Sequence, residues 1–329
     1  MLNGSLSPYD ANPLGAAAPP LRTASTADVD EQAAQLRGWS QHYVQLSPGA
    51  FAGDFIEVDL GAAQLFFETT STTLFQTGAI APGVTALGIP LQFGGDGSFC
   101  GQPIAATKMH CFSGRSGFEY CSPGGLLMAG LIISSATLAG ELGEEQAEQL
   151  RPRLETPGLL SIDTSQRIAL HGLLDRIIGM TRTSPELLRD ARFRASLGRA
   201  AVEAFIAPIV ASHPTRDDHC ITQAVRRKLI RDIRDLVLSR PEEPPTVAEL
   251  CQRLQVSRRT LQYCFAQTLH CGPLEFIRAI RLNQVRAMLL RGARVSEAAA
   301  HWGFWHFGNF AKDYRLLFNR LPSAEKPAA

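Results

Sequence analysis

The chain has 329 residues, of which 45% are hydrophobic and 19% charged, and a formal net charge of +1. So much apolar material in so long a chain argues against a single core and for two domains of about 100–200 residues each. The small total charge hides a division: from Thr222 onward 18 Lys and Arg face 9 Asp and Glu, a net of +9, leaving −8 on residues 1–221. A basic carboxyl-terminal module on an acidic partner is the electrostatic footprint of a nucleic-acid-binding domain joined to one that does not bind it. The seven cysteines are odd in number and form no CxxC pair, as expected of free thiols in a reducing cytosol rather than a disulfide framework. The first residues lack a basic stretch followed by an apolar core, and the longest apolar run, near Leu126–Ile133, falls well short of the ~20 residues that span a bilayer. The expectation is a cytoplasmic protein without membrane contact.

Residues 1–30 are rich in Pro, Ala, Ser and Thr and read as a mobile tail. Over 31–140 the texture becomes short apolar runs punctuated by glycine and proline, with turn signals about every ten residues and strand-period alternation in Phe55-Ile56-Glu57-Val58-Asp59-Leu60. That pattern predicts a small β-barrel. Over 141–221 helical spacing takes over, as in QRIALHGLLDRII, with a helix start at Ser184-Pro185-Glu186 and a stop at His213-Pro214. Next comes AVRRKLIRDIRDLVLSR, an amphipathic helix with Leu229, Ile230, Ile233, Leu236 and Val237 on one side, closed by Pro241, Pro244 and Pro245.

Thr246-Val247-Ala248-Glu249 has the form of a capping box opening one short helix, and Ser257 caps a second, predicted over Ser257–Thr268. Leu261 and Phe265 would turn inward and Arg258, Arg259, Gln262 and Tyr263 outward, which makes a helix-turn-helix. Any tight helical hairpin can mimic that pattern, but this one recurs. A shift of 48 sets Val247 on Val295 and Glu249 on Glu297, and a shift of 49 sets Leu261 on Phe310, Phe265 on Tyr314 and Pro273 on Pro322. One residue inserted in the second turn accounts for the difference. Between the copies lies Leu274–Leu290, a helix with Ile277, Ile280, Val285, Met288 and Leu289 available for burial. At 1.5 Å per residue it is ~25 Å long, suited to holding two heads about one DNA turn, ~34 Å, apart.

Residues from about 225 to 323 resemble the DNA-binding domain of the AraC/XylS family of bacterial regulators. The family signature G-F-x-x-x-S-x-F-x-R-x-F-K, followed by G-x-x-P, stands here as Gly303-Phe304-Trp305-His306-Phe307-Gly308-Asn309-Phe310-Ala311-Lys312-Asp313-Tyr314-Arg315, then Asn319 and Pro322. Gly308 replaces Ser, Lys312 replaces Arg, Tyr314 replaces Phe and Asn319 replaces Gly. Within the family, the aromatic-rich WGFWHFGNF is similar to the subgroup around ethanolamine-utilisation regulators. The resemblance implies Arg259, Gln262 and Tyr263 as DNA-binding residues on the first recognition helix, and Phe307, Asn309 and Lys312 on the second; outward Arg258 and, read as either a phosphate contact or a surface residue, His306 are added from the residues themselves. Arg259 suits guanine O6 and N7, Gln262 and Asn309 suit adenine, and the rings of Tyr263 and Phe307 suit a thymine methyl. Trp302, Phe304, Trp305 and Phe310 read as core.

The reading is therefore an α+β chain: an N-terminal cupin-like β-barrel sensor over 31–140, a helical linker and dimerisation segment over 141–221, and an all-α double helix-turn-helix over 222–329. The resemblance implies a transcription regulator that binds double-stranded DNA as a homodimer, engages RNA polymerase, often as an activator, and answers to a small-molecule effector. The competing reading is a constitutive DNA binder whose N-terminal domain is a protein-interaction module. His110 with Cys100, Cys111 and Cys121 matches no standard zinc spacing, so buried thiols are expected rather than a metal or redox site. Gly94-Gly95-Asp96-Gly97 lacks the Lys-Ser/Thr of a phosphate loop. Neither a nucleophile triad nor a carboxylate pair stands out, and no cofactor or enzyme activity is expected.

Overall fold

The computed structural model describes residues 19–113, 117–211 and 220–325. The strands assemble into two antiparallel sheets. The larger runs Leu21–Thr26, Gly53–Asp59, Ala63–Thr70, Leu126–Ser134, Val84–Gln92, Lys108–Cys111, Gly158–Ser161 in spatial order. The smaller runs Trp39–Gln45, Leu74–Ile80, Phe118–Ser122, Ser98–Phe99, Gln102–Pro103. Their inner faces meet in an aromatic core of Phe55, Phe66 and Phe112 from one and Phe99, Phe118 and Tyr120 from the other, with Trp39 edge-on to Phe66. The expected cupin-like unit is thus two facing sheets rather than one closed barrel.

Each sheet also buries its outer face. On the larger, Leu65, Phe67, Leu87 and Leu131 pack beneath Leu138, Leu154, Leu170, Leu174, Phe205 and Ile209 from the helices Ser135–Leu142, Glu144–Leu154, Thr164–Thr183 and Ala191–Ala211. On the smaller, Val44, Phe75 and Cys121 merge with the carboxyl-terminal helices. The molecule is therefore layered as helices, sheet, sheet and carboxyl-terminal domain.

Three sequence expectations need correction. The mobile tail does not extend to residue 30, because Leu21–Thr26 pairs with Gly53–Asp59 and Arg22 bridges Glu57 at 2.5 Å; residues 1–18 lie outside the described residues. The segment 141–221 is not purely helical, since Gly158–Ser161 joins the larger sheet beside Lys108–Cys111. Ser184-Pro185 opens a short 3-10 turn, Pro185–Arg189, without a side-chain cap, and His213-Pro214 lies outside the described residues.

Two titratable groups sit deep in the β-domain with opposite shifts. Glu68 accepts hydrogen bonds from Gln32 Nε2 and Tyr43 Oη, both at 3.0 Å, but burial outweighs them and raises its carboxyl to about 7. His110, against the rings of Phe99, Phe112 and Tyr120, is pushed down to about 3 by burial, opposed by the Gly88 backbone. The raised carboxyl contributes stability that is complete below its ordinary value of 4.5 and lost as pH rises through about 7. The lowered imidazole contributes stability that is complete above its ordinary 6.5 and lost as pH falls through about 3. Between 4.5 and 6.5 the two slopes oppose each other. Glu68→Gln is expected to leave stability rising with pH across that window, and to stabilise the protein above pH 7 by on the order of 3 kcal/mol. Urea midpoints at stepped pH check this; an unchanged profile in the variant means that Glu68 ionises in the native state at its ordinary pH.

Candidate nucleic-acid interface

The carboxyl-terminal domain opens with the helix Cys220–Ser239, whose Leu229, Ile230, Ile233, Leu236 and Val237 are all buried. Two helical pairs follow, Val247–Leu254 with Arg258–Leu269, and Val295–His301 with Phe307–Phe318. The spacer helix Pro273–Leu290 joins them. The second helix of each pair starts and ends at an offset of 49, and each closes on a left-handed residue, His270 (φ 55°) and Asn319 (φ 53°). The first turn closes through the Val256 N–H on Cys251 O (3.1 Å) and the second through the Phe304 N–H on Ala299 O (2.9 Å), an offset of 48. The residue inserted between the two registers is therefore Trp305. It is 65% exposed, so the expectation that it belongs to the core is corrected, while Trp302 and Phe310 are buried and Phe304 half-buried.

The helix ends are secured unequally. Thr246 accepts the Glu249 N–H at 3.2 Å, but the Glu249 carboxylate pairs with Arg240 instead of returning to Thr246, so only half of the expected capping box forms. Ser257 accepts the Thr260 N–H at 3.0 Å, whereas His306 at the matching position makes no side-chain cap bond. Arg281 of the spacer ties down the second turn: its guanidinium donates to Trp302 O at 2.7 and 2.5 Å and lies 4.1 Å from the centre of the Phe304 ring. Burial there, with Arg278 nearby, lowers Arg281 to about 10.

All eight expected contact residues are exposed: Arg258, Arg259, Gln262 and Tyr263 on the first recognition helix, and His306, Phe307, Asn309 and Lys312 at the second. Behind them Leu261 and Phe265 in one head, and Phe310 and Tyr314 in the other, are buried. Tyr263 is steadied from outside its own helix pair, by the Arg226 guanidinium 5.3 Å from its ring centre. Beside the first head a groove of about 810 Å³ brings Arg258 together with Arg278 and Arg281 of the spacer. Arg226, Arg278 and Arg281 escape a repeat-based reading because they lie outside the helices that the repeat aligns. His110, Cys100, Cys111 and Cys121, by contrast, are dispersed. Cys100 belongs to the core between the sheets, Cys111 to the helix-covered core and Cys121 to the carboxyl-terminal interface. Among the described residues no group of three or more His, Cys, Asp or Glu is placed to hold a metal ion, and no helix is long and apolar enough to cross a membrane.

Two tight helical pairs with outward polar helices on a rigid connector define a paired helix-turn-helix DNA-binding domain. Residues 250–326 match the helix-turn-helix domain family. Over 101 residues the sequence is 34% identical to the "Probable thc operon regulatory protein" of Rhodococcus erythropolis, covering 30% of each chain. Over 82 residues it is 33% identical to the XylDLEGF operon transcriptional activator 2 of Pseudomonas putida, covering 24% of this chain and 52% of that one. The chain thus spans less than a third of the Rhodococcus protein and about half of the Pseudomonas one. The crystal structure of the AraC-like transcriptional activator CuxR aligns with a TM-score of 0.41 and 14% identity, covering 85% of this chain and 100% of CuxR. The carboxyl-terminal domain is of the AraC/XylS type.

Gly303 and Gly308 test the second head in opposite directions. A Cβ on Gly303 would lie 2.5 Å from Glu242 O at a φ of +68°, whereas one on Gly308 would meet nothing within 4 Å. Gly303→Val is expected to destabilise by on the order of 2 kcal/mol or more through strain and collision. Gly308→Ala should stabilise by up to about 1 kcal/mol through reduced backbone entropy. Urea denaturation followed by Trp fluorescence reads both; equal effects would show that the turn does not have this geometry.

Proposed function

We propose that the chain is a cytoplasmic transcription regulator that binds double-stranded DNA through two adjacent major-groove segments under the control of its N-terminal domain. The observation that carries this is the pairing of outward, repeat-equivalent faces on the two recognition helices with a buried spacer of 18 residues. That spacer is ~27 Å long at 1.5 Å per residue, the scale of one turn of duplex. The net of +9 from Thr222 onward supplies attraction to phosphate, and Arg258, Arg278 and Arg281 around the groove are where a backbone would run. The relatives are named as regulators, which favours transcription control over catalysis.

For the N-terminal domain we propose sensing of a small-molecule effector, and for the whole a homodimer that acts on RNA polymerase. The sensing reading rests on the Tyr120 hydroxyl, buried in the core between the sheets without a hydrogen-bond partner among the described residues. A buried polar group left unpaired is costly, and a polar ligand would satisfy it. The competing reading, a constitutive DNA binder with a protein-interaction module, is favoured by the dense ring packing in the same space, where Phe99 lies 4.8–6.0 Å from His110, Phe112, Phe118 and Tyr120.

The test uses the full chain and duplexes selected by it from a random-sequence library. Binding measured by anisotropy is expected to weaken steeply with salt through counterion release. Arg259→Ala and Gln262→Ala should each cost the selected site ~1–3 kcal/mol while leaving random duplex nearly untouched. Equal losses on both DNAs would make these side chains phosphate contacts and sink the assignment.

A further inference from the structure

The recognition helices Arg258–Leu269 and Phe307–Phe318 correspond residue for residue. At that correspondence Arg258 answers to Phe307, Arg259 to Gly308 and Gln262 to Ala311. The first three are exposed, as are Phe307 and Gly308, and Ala311 is half-buried. At these three positions the first head presents long hydrogen-bonding side chains and the second presents hydrocarbon or none at all. Three other exposed positions of the second helix stay polar or charged: Asn309 opposite Thr260, Lys312 opposite Tyr263 and Arg315 opposite Ala266.

Nothing in the packing of the second helix accounts for this. Its contribution to the core is Phe310, Tyr314, Leu317 and Phe318, to which Phe307 does not belong. Phe307 is 50% exposed, next to the inserted Trp305 at 65%. Gly308 is not demanded sterically, since a Cβ there would stand in open space. These two exposed rings, two residues apart in sequence, stand where the other head carries its proposed readers. In the major groove the base edges offer hydrocarbon one distinctive partner, the C5-methyl group of thymine. A residue without a side chain at Gly308 also lets the helix backbone approach closely, which long readers at that position would prevent.

We propose that the second head reads thymine methyl groups by apolar contact through Phe307 and Ala311, with Gly308 allowing close approach, while the first head reads by hydrogen bonds through Arg259 and Gln262. The two halves of the binding site then differ in balance: Arg259 and Gln262 weight one toward purine hydrogen-bonding edges, and Phe307 and Ala311 weight the other toward methyl-bearing thymines, beside the adenine that suits Asn309. This rests on the DNA-binding reading above.

The test removes the methyl and nothing else. Deoxyuridine replaces thymidine one position at a time in a duplex selected by the full chain, and affinity is read by anisotropy. In one half of the site each effective replacement is expected to weaken binding about fourfold, the loss for one buried methylene-sized group. In the other half only a thymine met by Tyr263 should respond, and Phe307→Ala should not alter that response. Phe307→Ala should abolish the sensitivity at the thymine that Phe307 meets and spare any at Ala311, and Arg259→Ala should leave both intact. Because Phe307 is exposed and outside the core, neither fold nor stability should change, which thermal melting verifies. Phe307→Gln, which restores an amide suited to adenine, should exchange methyl dependence for a preference for adenine. Tolerance of uracil throughout the site, or a pattern of sensitivity that Phe307→Ala leaves unchanged, overturns the proposal while leaving DNA binding in place. Unchanged duplex affinity in Phe307→Ala also overturns it and assigns the rings to another partner. A chain that enriches no duplex at all overturns the DNA-binding reading itself.

Discussion

The arrangement of the two heads depends on how the β-domain holds their backs. Asn283 of the spacer helix pairs with the edge strand Trp39–Gln45 as another strand would: its Oδ1 accepts the Gln45 N–H and its Nδ2 donates to Gln45 O, both at 3.0 Å. The far ends of the recognition helices are held at equivalent positions, Thr268 and Leu317. Thr268 O accepts from Ser98 Oγ at 2.5 Å, and Leu317 O accepts from Gln45 Nε2 at 2.8 Å and the Gly49 N–H at 3.0 Å. The last carbonyls of a helix have no partner within it, so the β-domain satisfies groups that each head leaves open. The eight expected contact residues stay exposed while these contacts are made.

That arrangement gives the N-terminal domain a physical means of acting on DNA binding. Glu119 on the outer face of the smaller sheet pairs with Arg227 and, at 2.5 Å, with Arg231. The same helix carries Arg226 to the ring of Tyr263, so one helix touches both that sheet and a proposed DNA-contact residue. Allosteric couplings are typically ~1–3 kcal/mol, and an intramolecular hydrogen bond contributes ~0.5–1.5 kcal/mol net. Rearranging two or three of the contacts at Gln45, Ser98 and Glu119 is thus enough; wholesale undocking is not required. Arg286 adds a second attachment, reaching Asp28 at 3.4 Å and Glu325 at 3.3 Å.

What was legible in the sequence follows from the range of the interactions. The helix-turn-helix repeat could be read because its signals, caps at Thr246 and Ser257 and inward residues at Leu261 and Phe265, act within a few residues of one another. The strand Ala63–Thr70 defeats alternation: Leu65 and Phe67 enter one core and Phe66 another, so both of its faces are apolar. Leu21–Thr26 is an edge strand of mostly polar sequence whose identity comes from a partner thirty residues on. Trp305 was misplaced because it sits in an aromatic string whose neighbours Trp302 and Phe310 are core; the one-residue change of offset was the available signal. The Asn283–Gln45 pair, separated by 238 residues, has no local signature.

The unequal chemistry of the heads also divides their physical roles. Attraction to phosphate through Lys and Arg weakens as salt rises, because released counterions then gain less entropy. Apolar contact does not weaken with ordinary salt and draws on removal of hydrocarbon from water. On the proposed reading, Arg258 and Arg259 give the first head both long-range attraction and hydrogen-bonded readout, whereas Phe307 and Ala311 give the second a contribution realised only at close range. A head of that second kind gains little from searching on its own. It becomes effective when the first head has already engaged and the buried spacer, tied to the strand at Gln45, presents it to the next groove segment at high effective concentration.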